Sequence, residues 1–432
     1  MGTLRLRTAA WYGDHLVTIP VPASWQVTVF TPHPVPVLTD GQINQRLEAP
    51  AGQARLRELS RGKVRPLIIV DDLNRPTPAA RVIPAILKQL NDGGISARDV
   101  TILMGPGTHG PPRPDALVKK VGPEAASLCR LVVHDCYRDL VRIGRTSFGT
   151  PVLVNRQVAA SDFLIGVGGV YPNWTAGFGG GSKLALGVLG FNSIAGLHFG
   201  HKSMGWGTPN DESNFRRDLD EIARMVGLQT TVSLLLNAER EVVEVFCGDP
   251  WVAYPAALQM ARSVFQAPTP TDDVDVVLSN AYPNDLSVTF VRMKGMRPLA
   301  AAPASASKVV VAACPEGIGF HGLFPLLKPP PRHRRRLASA RVRVLLRQPQ
   351  RQLPKVLRRL SRGLTPPASA AAKPTWLFRP DATEGERLPR AIAGINVASS
   401  WEEIVEAVQR EQGGRRDLHV AVYACAALQW LG

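Results

Sequence analysis

The sequence predicts an α/β fold: two α/β domains with a cleft between them, mainly parallel sheets, and a basic insertion in the second domain. Two observations predict the domains. Strand, polar turn, helix and strand alternate from Arg65 to Val167, and the rhythm restarts between Val274 and Tyr423 after a Pro/Thr stretch. A third predicts the insertion: thirteen of the 51 Lys/Arg residues, and no Asp or Glu, fall between Lys328 and Arg362. The rest of a chain of net charge +16 therefore carries only +3. The expected boundaries are a first domain 1–266, a linker 267–273, and a second domain 274–432 interrupted by the insertion 328–365.

Residues 4–10, 15–19 and 26–30 read as short strands punctuated by Gly and Pro, and 41–60 as helical. A buried strand beginning at Arg65 ends in Asp71-Asp72-Leu73-Asn74-Arg75-Pro76, a helix runs from Ala79 to Leu90, and a strand from Val100 to Met104 ends in Gly105-Pro-Gly-Thr-His109-Gly. Phe163 to Val167 is the next strand, with a glycine-rich turn after it. Beyond the linker, Val274 to Leu278 and Lys308 to Ala313 are strands, 400–411 a helix, and His419 to Tyr423 a closing strand. The basic insertion opens at Pro329-Pro-Pro and closes at Thr365-Pro-Pro. Its apolar residues alternate loosely with arginines, which suits an amphipathic basic helix or a loop ordered on binding. A solvated insertion is the favoured reading. An anionic partner, nucleic acid or a membrane surface, is the rival, weakened because no aromatic residue in the run could stack on bases.

Composition excludes several classes. With 45% hydrophobic and 20% charged residues the chain has material for packed cores, so wholesale disorder is excluded. The apolar run Phe163 to Val170 is far too short to span a bilayer, and the N-terminus lacks the apolar core of a signal peptide. Five scattered cysteines without a Cys-x-x-Cys argue against a disulfide framework and a thiolate zinc site, which implies a cytosolic setting.

Four clusters offer chemistry. Arg75, on a strand-end turn with Asp72, presents a planar fork for a carboxylate or phosphate, although a capped turn with a surface Arg is the commoner meaning. His109, on a tight Gly/Pro loop, suits a general base near neutral pH, against the plain alternative of an exposed loop histidine. The third cluster, Gly166 to Lys183, fails both the dinucleotide and the P-loop patterns. Its Gly179-Gly180-Gly181-Ser182 run still suits a backbone nest for phosphate, and Lys183 a charge partner or covalent attachment point, with structural glycines the less favoured reading. The fourth, His198-Phe-Gly-His201, sets two imidazoles three apart where they can share a helix face and hold a metal.

In this order the clusters resemble the nickel-pincer lactate racemase family, with its broader 2-hydroxyacid racemases and epimerases. The resemblance runs from Trp11-Tyr-Gly to His201 and continues more faintly through Tyr282-Pro-Asn-Asp, Lys294-Gly295 and Pro315-Glu-Gly-Ile-Gly. It implies that Lys183 carries a pyridinium-derived mononucleotide through a thioamide, with Gly179, Gly180, Gly181 and Ser182 in the same cofactor loop. It implies that His198 completes the coordination of nickel, that Arg75 and Lys294 hold the substrate with Asp72 in the same loop, and that His109 is one of two catalytic histidines. Loading then depends on separate cofactor-biosynthesis enzymes. The residue types suit the chemistry: a 2-hydroxy carboxylate has a poorly acidic α-proton, whereas a base on the hydroxyl and a hydride acceptor at the cofactor avoid a carbanion.

The sequence departs from the family pattern at the second catalytic histidine, where Asn173 stands, followed by Trp174. An amide accepts no proton near neutral pH, so Tyr171, His134 or His201 would have to substitute, or racemisation is altered. The two residues together point to a substrate other than lactate. The expected activity is racemisation or epimerisation of a 2-hydroxy acid by hydride transfer. A catalytically altered or inactive cofactor-binding paralogue is the first rival, and anion or nucleic-acid binding through 328–365 the second.

Overall fold

A computed structural model describes residues 2–208, 213–348, 373–380 and 387–432, together with Gln350 and Leu353. Two mainly parallel sheets organise the chain. The first has six strands in the order Val242–Gly248, Leu228–Leu236, Phe163–Gly169, Pro66–Asp71, Thr101–Gly105, Arg130–Val133, parallel throughout except for its first edge strand. Successive side chains on a strand point to opposite faces, and both faces are covered here. Ile68 and Val70 pack beneath the helices Asp40–Glu48 and Ile83–Asp92, while Leu67 and Ile69 pack against Phe191–Gly200 and Asn214–Met225. The one helical stretch expected over 41–60 is broken, because Pro50 separates Asp40–Glu48 from a single turn at Leu56–Leu59.

The second sheet has seven strands in the order Ala391–Ile392, Ile395–Ala398, Thr375–Phe378, Ser307–Val311, Val276–Asn280, Leu418–Tyr423, Trp25–Phe30. Only the Ala391–Ile392 edge is antiparallel. Its last strand corrects the boundary 1–266. Trp25–Phe30 pairs in parallel with Leu418–Tyr423, and the hairpin of Gly2–Thr8 and His15–Val21 lays Leu4, Leu6, Ile19 and Val21 on the apolar face formed by Val276, Val309 and Val420. The first thirty residues find their hydrophobic partners in the second unit, so they belong to it. Asp285 reinforces the join by accepting the backbone N–H groups of Ala9, Ala10 and Ala313.

The first half of the basic segment expected to be an insertion is a helix, Pro331–Arg347. It is not solvated all round: Leu337 and Ala340 enter the core formed by Phe191, Ile194 and Leu197 of the first unit. Arg343 donates to Asn192 Oδ1 at 2.7 Å and Arg336 lies over the Tyr137 ring at 4.2 Å. The remainder of that segment, 349–365, lies outside the described residues apart from Gln350 and Leu353. All five cysteines are free and buried. Among the described residues no helix is long and apolar enough to cross a membrane.

Candidate active site

Parallel strands bring their carboxyl ends, and the loops that follow, to one side of a sheet. Loops leaving Pro66–Asp71, Thr101–Gly105 and Phe163–Gly169 in the first sheet meet those leaving Val276–Asn280 and Ser307–Val311 in the second. They line a cavity of ≈ 300 Å³. Asp72, Arg75, His109, Asn173, Gly179, Gly180, Lys183, His198 and Lys294 all border it.

His109 is wired as an acceptor. Asp72 Oδ2 takes its Nδ1–H at 2.7 Å, which in a neutral imidazole leaves the lone pair on Nε2. Burial, opposed by Asp72, holds the ring below the usual histidine range, so it is neutral and basic at neutral pH. Burial alone would raise the Asp72 carboxyl. The charge and hydrogen bond of His109 and the charge of Arg75 outweigh it and keep Asp72 ionised.

Three basic side chains surround this pair, and burial, then the charges of Arg75 and Lys183, push the Lys294 amine well below the usual lysine range. Lys294 sits in a π-helical turn, Val291–Gly295, with Nζ donating to Asn284 Oδ1 at 3.2 Å. Arg75 Nη1 donates to the carbonyl of Asn74 at 2.9 Å and, among the described residues, forms no ion pair. Lys183 Nζ likewise has no hydrogen-bond partner among the described residues. Burial, then the charges of Arg75 and Arg216, bring its pKa down to about 7. Half of Lys183 is therefore a neutral, nucleophilic amine at neutral pH.

His198 presents its other nitrogen. Its Nδ1–H donates to Ile194 O at 2.8 Å within the helix Phe191–Gly200, leaving Nε2 as a ligand lone pair. Burial lowers its pKa to about 4, so it stays neutral. Among the described residues no group of three or more His, Cys, Asp or Glu side chains could hold a metal ion. A metal at His198 thus requires further donors from a bound group.

Several sequence expectations are corrected. Gly181 and Ser182 do not line the cavity: Ser182 Oγ accepts from Arg216 at 3.3 Å. Two N–H groups of the loop are used internally: that of Gly179 donates to Tyr171 O and that of Lys183 to Gly180 O. The glycines answer to packing: at Gly181, φ is +58° and an added Cβ would lie 2.9 Å from the Tyr254 ring. Arg216 clamps the loop from below, donating to Phe178 O and Gly180 O. His201 leaves the site for a buried bond to Asp218 at 2.7 Å, and His134 bonds Leu189 O and Asn155. Asn173 Oδ1 is held by the N–H groups of Thr175 and Ala176, so it shapes its own turn. Tyr171 does border the cavity, but burial and Asp71 push its hydroxyl well above the usual range, which removes it as a base.

Other residues were missed. Lys120, fully buried, bonds Asp71 Oδ1 at 2.7 Å and the carbonyls of Arg75 and Thr77, fixing the arginine-bearing turn. Its signal was available, since Leu117, Lys120 and Val121 fall on one helix face. Arg297, stacked between Trp174 at 4.4 Å and Trp206 at 5.4 Å, forms a wall of the cavity. His321 and Phe324 border it from beyond the Pro315-Glu-Gly-Ile-Gly motif and carry no local signal.

Residues 12–207, which include the cavity-lining residues named above except Lys294, Arg297, His321 and Phe324, match the lactate racemase N-terminal domain. This part of the chain is similar to the lactate racemase N-terminal domain. The chain is 28% identical over 289 residues to a lactate racemase of Lactiplantibacillus plantarum, covering 65% of this chain and 68% of that protein. It is 26% identical over 289 residues to a lactate racemase of Thermoanaerobacterium thermosaccharolyticum, covering 65% and 67%. The lactate racemase apoprotein structure from the latter organism superposes with a TM-score of 0.71 over the full length of both chains at 19% identity, which establishes a common fold.

Proposed function

We propose that this protein belongs to the lactate racemase family and is an isomerase that racemises or epimerises a 2-hydroxy carboxylate. The observation that carries the proposal is the convergence on one small cavity of a neutral imidazole backed by a carboxylate, the Lys183 amine, and the basic side chains of Arg75 and Lys294. His109 Nε2 takes the proton of the C2 hydroxyl, and Asp72 stabilises the imidazolium that forms. Arg75 and Lys294 hold the substrate carboxylate, whose charge three basic groups favour. Phe290 and Phe324 give the cavity an apolar side that excludes water.

The family uses a nickel-pincer nucleotide, and the residues present fit it. The half-neutral Lys183 amine suits covalent attachment, and His198 Nε2 suits nickel as a neutral imidazole ligand. When bound, that group supplies an acceptor for the C2 hydride. The buried free cysteines accord with a cytoplasmic setting in which separate enzymes load it.

The test is expression beside the cofactor-making enzymes of a lactate racemase, then intact mass, metal analysis and a panel of chiral 2-hydroxy acids. An adduct lost in Lys183→Ala, nickel lost in His198→Ala, and racemisation of a panel member are expected. No adduct and no nickel, where a control racemase loads, overturns the reading. The turn bonds of Asn173 favour a second reading, a cofactor-binding paralogue of altered activity: an adduct with nickel but no turnover would select it.

A further inference from the structure

His321 is the strongest candidate that the proposed chemistry leaves unused. The segments bearing His109 and His321 come from different sheets and pair as an antiparallel bridge, with Gly322 N–H donating to Thr108 O at 2.6 Å and Gly110 N–H to Phe320 O at 3.3 Å. The two imidazoles stand side by side, ring centroids 5.1 Å apart, and both border the cavity. From behind, His333 of the basic helix donates Nε2–H to Gly322 O at 2.6 Å.

The rings are wired oppositely. Asp72 accepts from His109 Nδ1, which leaves Nε2 of that ring a proton acceptor. His321 Nδ1 instead receives the backbone N–H groups of Leu323 at 3.2 Å and Phe324 at 3.3 Å. A backbone N–H only donates, so His321 Nδ1 carries the lone pair and its single proton sits on Nε2. A second proton on Nδ1 would confront both donors. Burial pushes the same way and keeps the ring neutral. His321 therefore does not supply the base that Asn173 lacks.

We propose that His321 Nε2–H is a fixed hydrogen-bond donor to the C2 oxygen of the bound 2-hydroxy or 2-keto acid, the oxygen whose proton His109 removes. The assignment rests on the 2-hydroxy acid reading of the cavity. One hydroxyl oxygen accommodates both rings: its O–H donates to His109 Nε2 while a lone pair accepts from His321 Nε2–H, which keeps its own proton, and that hydrogen bond strengthens as charge grows on the oxygen. The pair then distinguishes carboxylates that carry a C2 oxygen from those that do not.

Two variants test it. His321→Gln keeps an N–H donor near the Nε2 position, and His321→Phe keeps a ring but no donor. Two-bond ¹H–¹⁵N spectra of histidine-labelled protein, with His321 assigned from its loss in His321→Gln, are expected to show the Nε2–H tautomer through neutral pH; the Nδ1–H tautomer overturns the proposal. Oxamate, with an acceptor-only C2 oxygen, is then compared with propionate, which has none. Oxamate affinity should fall about tenfold in His321→Phe and largely return in His321→Gln, with propionate unchanged. Equal losses of oxamate in both variants refute the donor role while leaving the cavity's reading intact. Failure of the native protein to bind either acid, with the tautomer as expected, refutes the 2-hydroxy acid reading, and the C2-oxygen role falls with it.

Discussion

The neutral amine of Lys183 makes a prediction that needs neither cofactor nor substrate. With a pKa of about 7, half the side chain is unprotonated at pH 7, against about 0.03% for an ordinary lysine amine. The neutral fraction is thus larger by about a thousandfold. A less basic amine is intrinsically less nucleophilic, and a Brønsted slope of about 0.5, as for thiols, takes back most of that factor and leaves roughly a thirtyfold advantage. The assay is competitive labelling of the protein with trace acetic anhydride across a pH series, beside Nα-acetyl-lysine amide as internal standard, with Lys183 followed in its peptide by mass spectrometry. The rate at Lys183 should reach half its maximum near pH 7, and this midpoint does not depend on the Brønsted slope. Arg75 is the largest charge opposing the ammonium, so Arg75→Gln should move the midpoint upward. A native midpoint near pH 10, or one indifferent to Arg75, would refute the argument that burial among cations poises this amine.

The other predictions concern the groups around it. Asp72→Asn frees the His109 tautomer and should lower kcat of the loaded enzyme by about 10²–10⁴-fold with a smaller change in KM, measured by chiral chromatography. Because His109 must be unprotonated and its pKa is depressed, the acid limb of kcat/KM should lie below the ordinary histidine range, near pH 6.5, and a limb at or above that value contradicts the burial argument. Lys120→Met leaves Asp71 facing a buried site without its partner and should cost about 3–5 kcal/mol in urea denaturation. Gly181→Ala forces a Cβ against Tyr254 at positive φ and should cost about 1–3 kcal/mol, read in the same experiment.

What could be read from the sequence was what local chemistry encodes. The strand Pro66–Asp71 is apolar on both faces and ends in polar residues, and the Gly-Pro-Gly-Thr-His loop punctuates the next strand, so the layout of Asp72, Arg75 and His109 follows from strand–turn grammar. The family motif located Lys183 and His198. What eluded the sequence lies in tertiary pairing. Trp25–Phe30 alternates like any edge strand, and nothing local says that its partner is Leu418–Tyr423. Gly181 and Ser182 looked like ligand-facing residues, because a glycine that admits a phosphate and one that admits a tyrosine ring read alike. His321 is only defined by the backbone donors of Leu323 and Phe324 and by its bridge to His109, neither of which has a sequence signature.

The exchange of the first strands into the second sheet also bears on how this molecule is assembled. Trp25–Phe30 emerges from the ribosome early, whereas Leu418–Tyr423, the strand it must pair with, emerges near the end of the described chain. The six strands of the first sheet lie between Pro66 and Gly248 and can close while synthesis continues. The second sheet cannot, and until it does the apolar hairpin residues Leu4, Leu6, Ile19 and Val21 lack their cover. Its contact order is accordingly high, and its folding is the slower and more aggregation-exposed event. Since Lys294 and His321 come from that second unit, a nascent chain acquires His109 and Lys183 well before the residues that complete the cavity around them.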